Sequence, residues 1–177
     1  MNHTDHVNLI RGGVPAGHNQ IWADFGSGQG AFTLALADVL GAGATIHSID
    51  RDAHALRTQA GEMQRLFPGV KLLTYSHDYT RPLDLPKLDG IVAANTLHFH
   101  READKARIVR LFKRYVREGG AMVIVEYNID AGNYAVPYPL PFPAWQALAR
   151  DAGWAQTERL ATRPSRFLHE IYSAVSR

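Results

Sequence analysis

Short apolar runs alternate along the chain with longer segments in which apolar residues recur at every third or fourth position. The short runs predict five buried β-strands, over residues 20–25, 44–49, 70–75, 88–94 and 121–126. The longer segments predict amphipathic helices over residues 29–40, 52–66 and 102–117. Strands and helices that alternate in this way predict an α/β fold, with helices covering both faces of a parallel sheet.

The C-terminal part of the chain follows a different pattern. A short helix is predicted over residues 145–152, and two strand-like runs follow at residues 154–161 and 167–175. Only residues 162–166 connect these two runs, which is too short for a helical crossover, so the last two strands are expected to be antiparallel. The proline-rich segment 130–143 is interpreted as an ordered loop near a site.

Composition narrows the class of protein. With 177 residues, of which 46% are hydrophobic and 20% charged, the chain is expected to form a single globular domain over residues 1–177. No apolar run approaches the ~20 residues that span a bilayer, and the polar N-terminus has no signal-peptide core. The chain has no cysteine, which excludes a disulfide scaffold, a thiolate zinc site and a cysteine nucleophile. A cytoplasmic location is the default expectation.

The charge balance gives little indication of a nucleic-acid partner. The formal net charge is +2 and the pI is about 9.0, a weak basic bias. Basic residues do cluster around the predicted helix 102–117, but their spacing is typical of the solvated face of an amphipathic helix. They are Arg101, Lys105, Arg107, Arg110, Lys113, Arg114 and Arg117.

The first predicted strand ends in a glycine-rich turn, where residues 24–30 read Asp-Phe-Gly-Ser-Gly-Gln-Gly. Glycines at this place let the backbone approach a ligand closely, and the following helix offers free N–H groups. The same segment also satisfies the dinucleotide fingerprint G-x-G-x-x-G/A through Gly26, Gly28 and Ala31. The glycines alone therefore fit two cofactors, S-adenosylmethionine and a nicotinamide dinucleotide.

Asp24 and the length of the chain favour the first of these cofactors. A carboxylate two residues before Gly26 would repel a pyrophosphate and attract a ligand with an ammonium group. S-adenosylmethionine has such a group and no phosphate. Residues 127–177 are also too few for the separate catalytic domain of a common dehydrogenase.

Through these residues, the chain resembles the class I S-adenosylmethionine-dependent methyltransferases. Residues 24–30 match the first motif of that family, Asp/Glu-x-Gly-x-Gly-x-Gly, in full. Asp50 at the end of the second strand, Asp78 after the third and the antiparallel final pair extend the likeness, whereas Glu118 stands where the family usually has proline. The resemblance implies a Rossmann-like, doubly wound, seven-stranded sheet in the order 3-2-1-4-5-7-6, mostly parallel with an antiparallel C-terminal strand pair.

The resemblance implies a role for most residues of the turn. Asp24 would face the methionine ammonium group. The backbone of Gly26, Ser27, Gly28 and Gly30 would pass under the methionine and the ribose. A tight turn without a ligand is the alternative for the glycines.

The resemblance also implies cofactor contacts at the ends of the next strands. Asp50 would accept hydrogen bonds from both ribose hydroxyls, and Arg51 would flank the adenine. Asp78 would accept from the adenine amino group, with Tyr79 next to the ring, and Asn95 would meet the methionine part. The alternatives are that Asp50 is only a helix N-cap and that Asp78 is a solvated loop carboxylate.

Residues 95–100, Asn-Thr-Leu-His-Phe-His, follow the fourth strand, and by the resemblance this loop faces the transferred methyl group. Methyl transfer needs alignment above all, and it needs a base only where the acceptor must lose a proton. His98 is the candidate base, because similar family members often have Asn-x-Leu-His here; the alternative is that it packs or caps the next helix. His100 is interpreted as a helix-entry residue. No metal is predicted, because His3 and His6 lie at a chain end expected to be mobile.

Absent motifs limit the methyl acceptor. The loop after the fourth strand lacks the Pro-Pro turn of enzymes that methylate amino groups of nucleic-acid bases, and cytosine-C5 chemistry would need a cysteine. A small-molecule acceptor is therefore favoured over nucleic acid, in a site that is open or completed by a second copy of the chain. Three functions stay open: an active methyltransferase, a module that binds S-adenosylmethionine or S-adenosylhomocysteine without transfer, and a nicotinamide-dependent oxidoreductase.

Overall fold

The computed structural model describes residues 1–165 and 168–177. Within these residues the strands are β1 (Ile21–Phe25), β2 (Thr45–Asp50), β3 (Lys71–Ser76), β4 (Leu88–Ala94), β5 (Val116–Tyr127), β6 (Thr157–Pro164) and β7 (Glu170–Ser176). The α-helices are α1 (His3–Ile10), α2 (Ala31–Leu40), α3 (Ala53–Leu66), α4 (Glu102–Tyr115) and α5 (Phe142–Asp151). Short 3-10 turns lie at Arg11–Gly13 and Leu97–Phe99.

All the strands join in one sheet in the order β3-β2-β1-β4-β5-β7-β6. The pairs from β3 to β5 are parallel, and β7 runs antiparallel to both β5 and β6. The predicted α/β class, strand order and antiparallel C-terminal pair are confirmed. Residue 166 of the predicted connection and residue 167 of the predicted last strand lie outside the described residues.

Helices cover both faces of the sheet because successive side chains of each buried strand point to opposite sides. In β1, Phe25 points to the face covered by α4 and α5, where it stacks on Phe112 with ring centroids 4.3 Å apart. Trp22 points to the other face and packs in a second cluster with residues of α1, α2 and α3, such as Leu36. The central strands are thus packed on both faces.

The N-terminal helix α1 was not predicted, and the expectation of a mobile chain end is wrong. Asn2 and Asp5 form a reciprocal capping box, with bonds of 2.9 and 3.0 Å between each side chain and the other residue's backbone N–H. Asp5 also pairs with Arg163 of β6 at 2.6 Å. The helix buries the apolar side chains Val7, Leu9 and Ile10. A helix this short owes its stability to its cap and its packing rather than to its sequence periodicity.

The boundary between α4 and β5 also differs from the prediction. Helix α4 ends at Tyr115, and β5 begins at Val116, which pairs with Leu88. The register then shifts, so that Gly90 pairs with Ala121. Residues 117–120 therefore belong to an irregular strand rather than to a turn before it. β-branched Val116 is buried and suits a strand better than a helix end.

Helix α5 begins three residues earlier than predicted, at Phe142. Pro141 is its N-cap and Pro143 lies in its first turn, where a backbone N–H would have no partner within the helix, so prolines are tolerated there. Strand β6 begins at Thr157, three residues later than predicted, since Trp154 is buried in the core before the strand starts. Within residues 1–165 and 168–177, no helix combines the length and apolar character needed to cross a membrane.

Candidate functional site

The carboxyl ends of the parallel strands β1, β2 and β4 meet at one edge of the sheet, where a cavity of about 400 Å³ opens. The chain order of neighbouring strands reverses between β1 and β4, and ligands of open α/β sheets bind at such a point. The volume is within the usual range for small-molecule sites. The wall of this cavity, called the switch-point cavity below, is formed by Gly26, Gly28, Asp50, Arg51, Tyr79, Asn95, Thr96, Phe99 and His100.

The cavity wall contains some of the predicted cofactor residues and not others. The predicted residues in the wall are Gly26, Gly28, Asp50, Arg51, Tyr79 and Asn95. Those outside it are Asp24, Ser27, Gly30, Asp78 and the predicted base His98. The sequence interpretation missed Thr96, Phe99 and His100, although all three lie in the loop after β4 that it placed at the site. Their orientation depends on a turn, Leu97–Phe99, that carries no sequence signal.

The glycines of the turn serve different purposes. Gly26 and Gly28 both have positive φ, +76° and +52°, a region that favours glycine. A Cβ on Gly26 would overlap the side chain of Thr96, whereas no heavy atom lies within 4 Å of the Cβ position of Gly28. Gly30, with φ +89°, gives room to the side chain of Gln59. Gly28 is therefore the residue whose missing side chain leaves open space at the cavity.

We expect Gly26→Ala to destabilise the fold more than Gly28→Ala. The strained backbone alone costs about 1–2 kcal/mol at Gly28, and overlap with Thr96 adds about 1–3 kcal/mol at Gly26. Denaturant unfolding of the two variants measures the difference. Equal losses would show that Thr96 moves aside freely and that Gly26 is not needed for packing.

The backbone N–H groups of the turn are largely satisfied within the protein. Those of Gly26 and Ser27 donate to the Ile49 carbonyl at 2.8 and 3.2 Å, and that of Gly28 donates to Asp50 Oδ2 at 2.7 Å. Glycine-rich turns that bind phosphate direct such amides at the ligand instead. A carboxylate occupies the place where a pyrophosphate would need a donor. The turn therefore fits a ligand without phosphate.

Asp24 lies behind the turn and is only 1% exposed. Its Oδ2 accepts a 2.6 Å bond from Thr33 Oγ1, which in turn accepts from Gln59 Nε2, but its Oδ1 has no hydrogen-bond partner within the described residues. Burial raises the pKa of the Asp24 carboxyl to about 7; the Thr33 bond opposes this rise, and the charge of Asp50 adds to it. A cation near the turn would stabilise the ionised form of this carboxyl.

Asp50 joins the turn to the end of β2. Besides Gly28, it accepts a 2.8 Å bond from the backbone N–H of Asp52 through Oδ1. The N-cap of α3 is Asp52, whose own carboxylate accepts from the N–H groups of His54 and Ala55. Asp50 thus faces the cavity as a fixed carboxylate and does not cap the helix.

Both carboxylate oxygens of Asp78 contact neighbouring side chains or backbone. Its Oδ1 accepts from the N–H and the hydroxyl of Thr80 at 3.0 and 2.7 Å, and its Oδ2 pairs with Arg51 at 2.5 Å. Burial would raise the pKa of Asp78, but the bonds from Thr80 and Arg51 outweigh it and hold the pKa below its ordinary value. The carboxylate positions Arg51 at the cavity rim, and it does not itself reach the wall.

The loop after β4 is strained and tightly bonded. Asn95 has φ +51°, donates its N–H to the Val125 carbonyl at 2.7 Å, and buries an Oδ1 that has no partner among the described residues. Beside it, the Tyr79 hydroxyl contacts both Thr96 and His100. Burial raises the pKa of Tyr79 to about 12, so the phenol stays protonated. Asn95 Oδ1 is the acceptor in the wall that most needs a donor from a ligand.

His98 is packed beneath this loop. It is 2% exposed, and its Nδ1 lies 2.6 Å from Oε2 of the fully buried Glu126. Glu126 Oε1 also accepts from the backbone N–H groups of Leu97 and His98, at 2.9 and 3.3 Å. The ring packs on Phe99 and Tyr127. His98 therefore takes the packed position that the sequence left as its alternative, and it anchors the loop to β5.

The two N-terminal histidines do not converge. His3 bonds to Asp38 at 2.9 Å, while the ring of His6 packs on Phe32 with centroids 4.8 Å apart. Among the residues described, no group of three or more histidine, aspartate or glutamate side chains could hold a metal ion. His100 directly precedes Arg101, the N-cap of α4, and so lies at the entry to this helix; its side chain also lies in the cavity wall.

The fold and this site define an α/β protein with a nucleotide-sized cavity at its topological switch point. The sequence profile of the family described as "Methyltransferase domain" matches residues 19–162, which is most of the chain. The chain belongs to the methyltransferase domain family. No curated protein matches it by sequence.

Solved methyltransferases share the fold at low sequence identity. Phosphoethanolamine N-methyltransferase 2 of Haemonchus contortus has a TM-score of 0.76 and 13% identity, over 98% of this chain and 52% of its own. The 1,6-didemethyltoxoflavin-N1-methyltransferase of Burkholderia thailandensis, crystallised with S-adenosylhomocysteine, has a TM-score of 0.73 and 17% identity, over 99% of this chain and 77% of its own. The arsenic(III) S-adenosylmethionine methyltransferase of Chlamydomonas reinhardtii has a TM-score of 0.70 and 14% identity, over 92% of this chain and 64% of its own. The chain thus spans between half and three quarters of the length of these enzymes.

Proposed function

We propose that the chain is an S-adenosylmethionine-dependent methyltransferase that acts on a small-molecule acceptor by in-line methyl transfer. The observation that carries this proposal is the glycine-rich turn, whose amides are satisfied internally and which lies between the carboxylates of Asp24 and Asp50. Such a turn suits a ligand with an ammonium group, ribose hydroxyls and no phosphate. It disfavours a nicotinamide dinucleotide, whose pyrophosphate would meet Asp50 rather than free N–H groups.

The residues of the switch-point cavity fit the cofactor. Asp50 would accept from the ribose hydroxyls, Asn95 Oδ1 would accept from the ammonium group, and the open space at Gly28 would admit the chain that joins them. When bound, S-adenosylmethionine supplies a methyl group already activated by the sulfonium. The protein's part is to align the acceptor and to exclude water. Asp24 would act through its charge, because it lies behind the wall.

A second cavity supports a small-molecule acceptor. It has a volume of about 430 Å³ and lies at the carboxyl end of β5, the strand next to β4; Asn128, Asp130, Asn133 and His169 are among the residues that line it. The proline-rich loop at this end of the sheet is tied to the loop after β4, because the N–H of Tyr138 donates to the His98 carbonyl at 3.0 Å. We assign no base to His98, since it is buried against Glu126.

Asp50→Ala should weaken the binding of S-adenosylhomocysteine by about 1.5–3 kcal/mol. The change removes charge-assisted bonds to the ribose and also frees the N–H of Gly28. Asp78→Ala is the matched control, because Asp78 lies outside the wall, and its effect should be at most about threefold. Calorimetric titration of both variants makes the comparison. Equal losses, or no loss with Asp50→Ala, would remove Asp50 from the cofactor site.

Methyl transfer itself is tested by screening acceptors for release of S-adenosylhomocysteine. Amines, phenols, carboxylates and arsenicals cover the main acceptor classes, and the second cavity predicts turnover with at least one of them. If the chain binds the cofactor but releases no S-adenosylhomocysteine with any of the four classes, a binding module is favoured instead. A single domain over residues 1–177, a cytoplasmic location, the exclusion of nucleic acid and pairing with a second copy of the chain stay predictions.

A further inference from the structure

We propose that the methyl acceptor is a flat aromatic molecule without a negative charge, and that it packs on aromatic side chains exposed beside the two cavities. This inference rests on the function proposed above and names the class of its acceptor. The side chains concerned are Phe99, in the loop after β4, and Tyr134, in the proline-rich loop. Both are binding residues in this proposal.

Two exposed aromatic side chains lie at the carboxyl edge of the sheet. Among the residues that the structure describes, the exposed large apolar side chains are Met1, Leu66, Phe99 and Tyr134. Met1 precedes α1 and Leu66 ends α3, whereas Phe99 and Tyr134 lie in the loops that follow β4 and β5. Phe99 lines the switch-point cavity, and Tyr134 is fully exposed. An aromatic ring has a large apolar area, so a ligand that covers these rings is stabilised by them.

A row of packed rings connects the two cavities. Phe99 packs on His98 with ring centroids 4.2 Å apart, and His98 packs on Tyr127 with centroids 5.8 Å apart. Phe99 belongs to the wall of the switch-point cavity, and Tyr127 directly precedes Asn128 in the wall of the second cavity. An acceptor that reaches from the second cavity towards a methyl donor in the first lies along this row, whose most exposed ring is Phe99.

The ring of Tyr134 is carried by a well-bonded turn. The N–H of Asn133 donates to the Val136 carbonyl at 3.0 Å, and the Asn133 side chain accepts from the N–H groups of Ala135 and Val136 at 2.8 and 2.9 Å. Val136 is buried, and Asn133 is part of the wall of the second cavity. Tyr134 therefore lies next to that wall, on a backbone that is held in place.

The base of the proline-rich loop is bonded to the loop that contains Phe99. Lys105 of α4 is fully buried, and its Nζ donates to the carbonyls of Tyr138 and Pro139 at 2.7 and 3.2 Å. The N–H of Tyr138 donates in turn to the carbonyl of His98, the neighbour of Phe99. The two loops are thus positioned relative to each other, which favours one binding surface formed by both.

The second cavity determines the charge of the acceptor. Its lining residues are Asn128, Ile129, Asp130, Ala131, Asn133, Leu168 and His169, and no lysine or arginine is among them. The Asp130 side chain is exposed and has no hydrogen bond or ion pair to any other residue that the structure describes. A carboxylate or phosphate group of an acceptor would be repelled by Asp130, with His169 as the only basic side chain in this wall. Neutral and cationic aromatic acceptors are therefore favoured over anionic ones.

Calorimetric titration of the chain saturated with S-adenosylhomocysteine tests the proposal. The probes are 2-naphthol, which is flat and neutral, its saturated counterpart decahydro-2-naphthol, and the anionic 2-naphthoate. The chain should bind 2-naphthol about two- to tenfold more tightly than the saturated alcohol, which is the contribution of aromatic packing beyond buried area. It should bind 2-naphthoate more weakly than 2-naphthol.

Single substitutions assign this preference to the two rings. Phe99→Leu and Tyr134→Leu keep an apolar side chain but remove the ring, and each should lower the preference for 2-naphthol over its saturated counterpart by at least about half. Phe99→Tyr and Tyr134→Phe keep the ring and should retain the preference. Leu66→Ala is the matched control, because Leu66 is also exposed but lies at the end of α3, outside both cavity walls. It should change neither the preference nor the binding of S-adenosylhomocysteine.

The outcomes separate this proposal from the proposed function. Equal binding of 2-naphthol and decahydro-2-naphthol, or tighter binding of 2-naphthoate, by a chain that binds S-adenosylhomocysteine would overturn the aromatic acceptor and leave the proposed function standing. An unchanged preference in both leucine variants would overturn it as well. If circular dichroism shows that one leucine variant is unfolded, the other decides by the same criterion. A wild-type chain that does not bind S-adenosylhomocysteine would contradict the proposed function and, with it, this inference.

Nuclear Overhauser contacts between 2-naphthol and the protein locate the probe directly. The proposal predicts contacts from the naphthol protons to the rings of Phe99 and Tyr134 in the complex with S-adenosylhomocysteine. Contacts confined to other parts of the chain would overturn it.

Discussion

Replacing Asp24 by asparagine should raise the free energy of unfolding at pH 8 by about 1–3 kcal/mol. Burial raises the pKa of this carboxyl from 3.8 to about 7, so its ionised form costs the folded chain about 4 kcal/mol. Asparagine removes that cost and keeps an oxygen that can accept the bond from Thr33. Part of the gain is lost, because the amide nitrogen replaces an oxygen that has no partner among the described residues.

The pH dependence of this gain identifies its cause. An acid whose pKa is raised on folding binds its proton more tightly in the folded chain, so stability falls as the pH rises from 3.8 to about 7. The advantage of Asp24→Asn should therefore be largest above pH 7 and shrink as the pH approaches 4. Denaturant unfolding of both chains at pH 8 and pH 5 measures it. The exposed Asp84→Asn is the control, with an expected change of at most about 0.5 kcal/mol at either pH.

The same substitution should weaken cofactor binding while it stabilises the fold. A buried carboxylate that costs stability is retained where its charge serves a ligand, and a cationic ligand is what this charge favours. A chain that becomes more stable and binds S-adenosylhomocysteine more weakly fits this account. A loss of stability at pH 8, or a gain that is equal at both pH values, would show that the ionised carboxylate of Asp24 does not destabilise the folded chain.

His98→Ala should lower the free energy of unfolding by about 3–5 kcal/mol, the cost of breaking a buried pair by removing one partner. The substitution leaves Glu126 fully buried, without the ring nitrogen that lies 2.6 Å from its Oε2. It also leaves a cavity beneath the loop after β4. Thermal and denaturant unfolding measure the loss.

Two matched variants distinguish loss of the His98–Glu126 contact from a general change in the loop after β4. His98→Asn places an amide nitrogen near the position of Nδ1 and should recover a large part of the stability. Phe99→Ala changes the adjacent residue, which is 58% exposed, and should cost about 1 kcal/mol or less. If His98→Ala costs no more than Phe99→Ala, then His98 does not anchor the loop.

The sheet was predictable because its information is local. Each strand shows as a short apolar run, and the glycine-rich turn at residues 24–30 is one contiguous motif. Helix α1 was missed because it is short and is stabilised by a capping box and by contacts with β6, which is distant in sequence. The overlong predicted helix 102–117 reflects an amphipathic pattern that continues into β5 at Val116, where pairing with Leu88 prevails over periodicity.

The site was predictable only in part, because contacts between distant segments decide which side chains reach the cavity. Gly30 belongs to the motif, yet it is required by the packing of Gln59 from α3. Asp78 stands at the expected place but is already occupied by its neighbours. Two histidines follow β4. His98 is buried in contact with Glu126 of β5, whereas His100 lies in the cavity wall in contact with the Tyr79 hydroxyl.

The measurement that tests the central claim most directly is a calorimetric titration of the chain with S-adenosylhomocysteine and, separately, with NAD. The turn whose amides are occupied by Ile49 and Asp50 predicts one-to-one binding of S-adenosylhomocysteine and no heat with NAD. It further predicts that Asp50→Ala weakens the first binding. Binding of NAD without any response to S-adenosylhomocysteine would contradict the account and would assign the glycine-rich turn to a dinucleotide.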